Sequence, residues 1–320
     1  MITNEECYIT VSKDGFIKRF SQRAFDANEG QVPFTKDDDY LIGMRKCETV
    51  DTLLVFSSKG TYAQIPVYTI DECRFKDPGK PISNYVKFDG FEKFVGAVVL
   101  KTFDTLPSIV NQDVDDDADT IVISHGVGTV HQGDKKAKLN QKIVVHVSGR
   151  AIMPVSGSEI TYNPSLWNNP SIQRYTNCYA YALNTQVYPN TNNRCYLQPG
   201  SPLNEYGNTV PQQYISLQNI VDKVEHDSEV VGFTFYQIDK YDTCPVGTYK
   251  VALAIDNSVD YHWYRQDADG YWSHKPGTTP ASFIDDSDNL ILDPAVADRG
   301  DYTNFLGYFA VSSWGNYYHE

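Results

Sequence analysis

Apolar residues enter this chain in short runs, each broken by a cluster of turn-forming residues. Tyr8-Ile9-Thr10-Val11 meets Ser12-Lys13-Asp14-Gly15 and returns as Phe16-Ile17. Leu53-Leu54-Val55-Phe56 meets Ser57-Ser58-Lys59-Gly60 and returns as Thr61-Tyr62, 45 positions further on. A β-prone run, a Gly-containing turn and a second apolar run predict a β-hairpin in each place. Tyr40-Leu41-Ile42-Gly43 is echoed in Phe94-Val95-Gly96, and Asp51-Thr52 in Asp104-Thr105, both at a spacing of 53. A repeat of about 45–53 residues built from four short strands is the pattern of propeller blades. About two copies fit into residues 1–105.

The pattern then breaks. Leu106-Pro107-Ser108 stands where another strand is expected, and the acidic run Asp113-Val114-Asp115-Asp116-Asp117-Ala118-Asp119 follows. Such a run after a proline reads as a solvated linker. Its alternating aspartates lack the glycine and glutamate of a calcium loop, Ala118 and Ser124 standing in their places. Thr120–Ser124 and Lys142–Val147 read as short strands, so residues 106–160 are expected to form a small β connector. Residues 161–320 change character, with 18 of the 23 tyrosines and all four tryptophans. The predicted organisation is 1–105, 106–160 and 161–320, an α+β chain whose N-terminal part is all-β.

In the last part, Tyr175-Thr176-Asn177-Cys178-Tyr179-Ala180-Tyr181-Ala182-Leu183 reads as a helix start. Thr176 or Asn177 can cap it, which puts Cys178 in the first turn. The positive end of the helix dipole there favours thiolate over thiol. The strand Tyr249–Ile255 is followed by Asp260-Tyr261-His262-Trp263-Tyr264-Arg265, a turn over 266–270, and Tyr271-Trp272-Ser273-His274-Lys275-Pro276-Gly277. This predicts a hairpin with His262 on one strand and His274 on its partner. A thiol nucleophile needs an imidazole to take its proton and a polar group to orient that imidazole. Cys178 is thus accompanied by candidate imidazoles at His262 and His274 and by Asp293 as an alternative polar group. The competing reading of Cys178 is an inert core cysteine.

Charge and cysteine usage narrow the choices. The net charge of −14 falls mostly after residue 105; residues 1–105 hold 14 basic and 16 acidic residues, a net −2. The later region is therefore a poor ligand for nucleic acid, while a local basic stripe remains open to the first. Six scattered cysteines without a CxxC pair give no zinc site, and no cofactor or metal is expected. No apolar run reaches 18 residues and the N-terminus lacks a signal-peptide pattern, so a cytoplasmic protein without membrane association is expected.

Two family resemblances sharpen these readings. Val11-Ser12-Lys13-Asp14-Gly15-Phe16-Ile17-Lys18-Arg19, Ser21-Gln22-Arg23-Ala24-Phe25, Asp51–Gly60, Ile65-Pro66-Val67, Cys73–Gly79 and Ile82-Ser83-Asn84 resemble the C-terminal domain of the A-type subunit of bacterial topoisomerase IV, over about residues 5–105. That resemblance implies β-pinwheel blades facing duplex DNA through Lys18, Arg19 and Arg23, with Lys59, Arg74, Lys76 and Lys80 as further contacts. It includes no strand-cleaving domain, so topoisomerase activity is not expected. Residues 170–280 resemble the papain-like NlpC-type peptidases: a helix-start cysteine after an Asp or Asn, a strand-borne histidine, and a second histidine about twelve positions on. That implies a papain-like α+β domain with Cys178 as nucleophile, His262 as base and His274 as orienting residue, acting on a peptide or amide. The Cys178 backbone N–H would serve the oxyanion. The expected protein joins a truncated DNA-contacting module to a cysteine hydrolase. The alternatives are a non-enzymatic protein binding DNA or a topoisomerase, and a fusion whose halves share no function.

Overall fold

The computed structural model describes residues 2–28, 30–57, 62–87, 93–100, 120–124, 128–132, 135–139, 142–146, 153–188, 197–200, 217–256, 260–315 and 317–318. The acidic run, His125, Cys195 and Lys59 lie outside the described residues. Most of the described structure is antiparallel sheet with few helices. Two compact units emerge: Met1–Asn28 with Pro33–Ala151, and Glu29–Val32 with Ile152–Glu320. The division thus falls after residue 151, and the strands of the expected connector group with the first unit.

The first unit contains β1 (Glu6–Ser12), β2 (Phe16–Ser21), α1 (Gln22–Asp26), β3 (Leu41–Glu48), β4 (Thr52–Ser57), β5 (Tyr62–Pro66), β6 (Lys80–Pro81) and β7 (Phe94–Leu100). One sheet has the order β3-β1-β2-β6 and the other β5-β4-β7. The sequence repeat is visible as topology: β3, β1 and β2 occupy in the first sheet the places that β7, β4 and β5 occupy in the second. Even the irregularity repeats. The β1–β3 register shifts between Val11 and Ser12, and the β4–β7 register shifts between Phe56 and Ser57, 45 positions later. The same break in pairing thus recurs at equivalent points of the two sheets. Ile9, Val11, Ile17 and Ile42 from the first sheet and Leu53, Val55 and Ile65 from the second share one core. Gly15, at φ +81, closes the β1–β2 turn because a Cβ there would collide with the Phe94 ring. Strands β8 (Thr120–Ser124) and β11 (Lys142–His146) pair with each other, as do β9 (Gly128–Gln132) and β10 (Lys135–Leu139).

The second unit contains α2 (Pro164–Trp167), α3 (Pro170–Gln173), α4 (Cys178–Ala182), β12 (Val187–Tyr188), α5 (Leu217–Val231), β13 (Phe235–Ile238), β14 (Tyr249–Asp256), β15 (Asp260–Gln266), β16 (Trp272–His274), β17 (Asn304–Val311) and β18 (Tyr317–Tyr318). Its central sheet, β13-β17-β14-β15-β16, is wholly antiparallel. Strand β14 is buried along nearly its whole length because both faces are covered. Val251, Leu253 and Ile255 face a core shared with α4 and α5, while Ala252 and Ala254 face one with Tyr264, Trp272 and Tyr308. Helix α5 buries Ile220, Val224 and Asp227, a helical spacing that sets one stripe inward. No described helix is long and apolar enough to cross a membrane.

Candidate functional site

Asn177 caps α4, its side chain accepting from Ala180 N at 3.0 Å, and Cys178 is the first helical residue. The cysteine meets β15 edge-on. Its Sγ lies 3.8 Å from the Tyr261 carbonyl oxygen, to which the thiol donates, and the backbone N–H of Trp263 donates to the sulfur. The thiol is thus held by the main chain on both sides of His262. No hydrogen bond joins Sγ to the His262 ring.

His262 Nε2 and His274 Nδ1 are 2.9 Å apart, and His274 Nε2 is 3.0 Å from the Ile284 carbonyl. A carbonyl only accepts, so His274 carries its proton on Nε2 and accepts through Nδ1. His262 must then donate from Nε2, which leaves a lone pair on Nδ1. Among the described residues nothing hydrogen-bonds to that Nδ1. The Tyr302 ring covers the imidazole at 5.1 Å, and the Tyr302 hydroxyl donates to Asp260 Oδ2 at 3.0 Å.

Burial decides the ionisation. Cys178 is 5% exposed and His262 3%. Desolvation pushes the Cys178 thiol up to about 12, aided by the Asp260 carboxylate and opposed by the Trp263 and Tyr179 N–H groups and the Lys275 charge. The helix start favours the thiolate, and desolvation of the sulfur acts against it. Burial, with the charge of His274, also holds His262 well below its ordinary value, and burial brings His274 down to about 4. Burial thus favours the neutral form of both the Cys178 thiol and the His262 imidazole.

A buried polar network fixes α4 against the hairpin. Arg265, fully buried, donates from Nε to Asp267 Oδ1 at 2.9 Å and from Nη2 to the same oxygen at 2.7 Å. It also donates to the Tyr181 carbonyl at 3.2 Å and the Tyr181 hydroxyl at 3.0 Å, with its guanidinium 4.1 Å from that ring. Tyr181 OH meets Ser273 Oγ at 2.6 Å, and Ser273 donates to Asp267 Oδ2. On the other side, Tyr179 donates to Asp227 Oδ2 at 2.9 Å, joining α4 to α5. A cavity of about 300 Å3 lined by Tyr162, Asn163 and Asp269 does not include Cys178.

Asp293, the alternative third residue, is engaged elsewhere. It pairs with Lys240 at 2.8 Å and accepts from Tyr308 OH and Ala295 N. Sequence reasoning passed over Arg265, Asp267 and Lys275. The Arg-x-Asp spacing along a strand, which puts both side chains on one face, was a usable signal for the first two.

In the first unit the basic residues divide. Lys18 is 1% exposed, and its ammonium donates to the carbonyls of Phe34 (2.9 Å), Phe75 (2.8 Å) and Asp77 (2.8 Å). It is an internal staple and not a surface contact; burial brings it down to about 8. Arg19 is half-buried and donates to the Ile70 carbonyl at 3.0 Å. Arg23 on α1, Arg74, Lys76 and Lys80 are exposed, with Arg74 3.4 Å from Asp77. Asn28, Arg74, Phe75, Lys76 and Asp77 line a cavity of about 470 Å3. Among the described residues no cluster of three or more His, Cys, Asp and Glu is placed to hold a metal ion.

Insoluble matrix shell protein 1 of Ruditapes philippinarum is 37% identical over 150 residues, 47% of this chain and 88% of that protein. The chain belongs to the family of that shell protein. The kinship covers more residues than the topoisomerase likeness. The A-type subunit of DNA topoisomerase 4 from Bacillus subtilis (strain 168) is 41% identical over 104 residues, 32% of this chain. Its Staphylococcus epidermidis counterpart is 37% identical over 103 residues. The chain spans only 13% of the length of each of these two proteins. A crystal structure of the C-terminal domain of DNA topoisomerase IV matches at 38% identity over 32% of each chain, with a TM-score of 0.31. About a third of the chain is thus similar in sequence to the A-type subunit of topoisomerase 4. No family model matches the chain.

Proposed function

We propose that the second unit is a papain-like thiol hydrolase of amide or peptide bonds and that the first unit contacts duplex DNA. One observation carries the hydrolase reading: the main chain on either side of His262 holds the Cys178 sulfur, while His274 orients the imidazole with a free lone pair on Nδ1. The sulfur attacks the substrate carbonyl as its proton passes to His262 Nδ1. The developing oxyanion is met by the Cys178 N–H, a first-turn amide with no partner inside the helix. His262 then protonates the leaving amine, and water attacks the thioester with His262 as base. Because burial favours the neutral pair, proton transfer accompanies attack and no standing ion pair precedes it.

Iodoacetamide alkylation of Cys178 across pH, in the wild type and in His262→Ala, tests this reading. We expect removal of the base to slow alkylation about tenfold or more near neutral pH. Equal rates would make Cys178 an inert core cysteine and leave the second unit a binding domain.

The DNA reading rests on the segment similar to the C-terminal domain of topoisomerase IV and on the exposed side chains of Arg23, Arg74, Lys76 and Lys80. Four phosphate contacts would give a log affinity–log salt slope of about −3.6. A slope near zero in anisotropy titrations with duplex DNA would remove it.

A further inference from the structure

We infer that Lys275 is a positioning residue for the nucleophile: its buried ammonium ties the loop before Cys178 to the strand end beside His274, and its charge favours the anionic form of the sulfur. This rests on the hydrolase reading of Cys178. Lys275 has no exposed surface. Its three N–H groups are all used, donating to the carbonyls of Gln173 (2.9 Å), Thr176 and Gly277 (2.9 Å). Thr176 is two residues before the nucleophile, and Lys275 itself follows His274. One side chain therefore couples the two elements whose separation the chemistry depends on.

No carboxylate pairs with this ammonium among the described residues. A buried cation held by neutral carbonyls alone is costly. Burial brings Lys275 down to about 8, with the Cys178 sulfur as the charge acting against that fall, and Lys275 in turn draws the Cys178 thiol down. The five-residue α4 has little dipole of its own to give, and Asp260 opposes the thiolate. The chain uses two other lysines in the same carbonyl-held way: Lys18, and Lys250 on the Lys240 and Asp242 carbonyls. Those staple loops to strands. A purely structural Lys275 would do the same and leave thiol ionisation untouched.

The test is the pH profile of iodoacetamide alkylation at Cys178 in the full chain, read by peptide mass spectrometry, for wild type, Lys275→Met and Lys275→Arg. Loss of the charge should raise the thiol's apparent pKa by about one unit or more, a roughly tenfold slower reaction near pH 7, where the wild-type amine is charged. Lys275→Arg should restore most of that loss. A wild-type profile in folded Lys275→Met, or equal losses in both variants, would overturn the inference. Should Lys275→Met not fold, reciprocity supplies a second measurement, because coupling acts equally on both partners. The Lys275 amine, followed by NMR with labelled lysine, should titrate at higher pH in Cys178→Asp than in wild type; an unchanged titration would overturn the inference. The His262→Ala profile separates the two ideas. Alkylation that depends on Lys275 and not on His262 sinks the hydrolase and keeps the cation, and the reverse keeps the hydrolase and sinks the cation.

Discussion

Replacing Arg265 by Met should be among the most damaging single changes in the second unit. It removes two bonds to Asp267 and two to Tyr181, all from a guanidinium with no exposed surface. Asp267, 1% exposed, would keep only Ser273 as a side-chain partner. Stranding one member of a buried ion pair costs about 3–5 kcal/mol, and the lost stack on Tyr181 adds about 1 kcal/mol. All four tryptophans lie in residues 161–320, so tryptophan fluorescence during urea unfolding reports on this unit. With a slope of about 2 kcal/mol/M, the midpoint should fall by about 2 M. The sign of the pH dependence follows from burial, which already pushes the Asp267 carboxyl up. Without the guanidinium its folded value rises further above the unfolded one, near 4. The stability this proton uptake supplies is present at low pH and lost as pH rises through the folded value, so the defect should be smaller at about pH 5 than at about pH 8. Arg265→Met with Asp267→Leu strands no charge and should recover at least half the loss. A midpoint shift below about 0.5 M, or a double variant as unstable as the sum of the singles, would refute the reasoning.

Two further outcomes follow from buried charges. Burial pushes the Asp227 carboxyl up to about 6, so the folded second unit holds that proton more tightly than the unfolded chain. The associated stability, about 3 kcal/mol, is present below about pH 4 and lost as pH rises through about 6. Asp227→Asn should remove this dependence, and parallel urea midpoints for the two proteins across that window would contradict it. In the first unit, Lys18→Met strands three carbonyls and should cost about 2–4 kcal/mol, seen as faster hydrogen exchange in peptides covering β2 and residues 73–79. It should leave the salt slope of DNA binding unchanged, whereas Arg23→Ala should reduce it by about 1.

What the sequence determined was local. The 45-residue echo specified two equivalent strand sets, and it carried the bulge at Val11-Ser12 and Phe56-Ser57 with it. Thr176 or Asn177 marked the start of α4, which Asn177 caps, and the spacing of His262 and His274 matched a hairpin that places their rings in hydrogen-bond contact. These features depend on turn chemistry, capping and strand period, which neighbouring residues set between them.

Tertiary structure alone decided which charges are used inside. Lys18 reads as a strand-face cation until the loops through Phe34 and Phe75 fold over it and supply carbonyls. Asp293 reads as a third catalytic group until Lys240 and Tyr308, distant in sequence, claim it. The helix dipole argued for a Cys178 thiolate, but the sulfur is buried against β15, and its desolvation acts the other way. Burial, and the partner each buried charge finds, arise from contacts between segments far apart in the chain. Residue type and spacing do not encode these contacts; the packing of the sheets creates them.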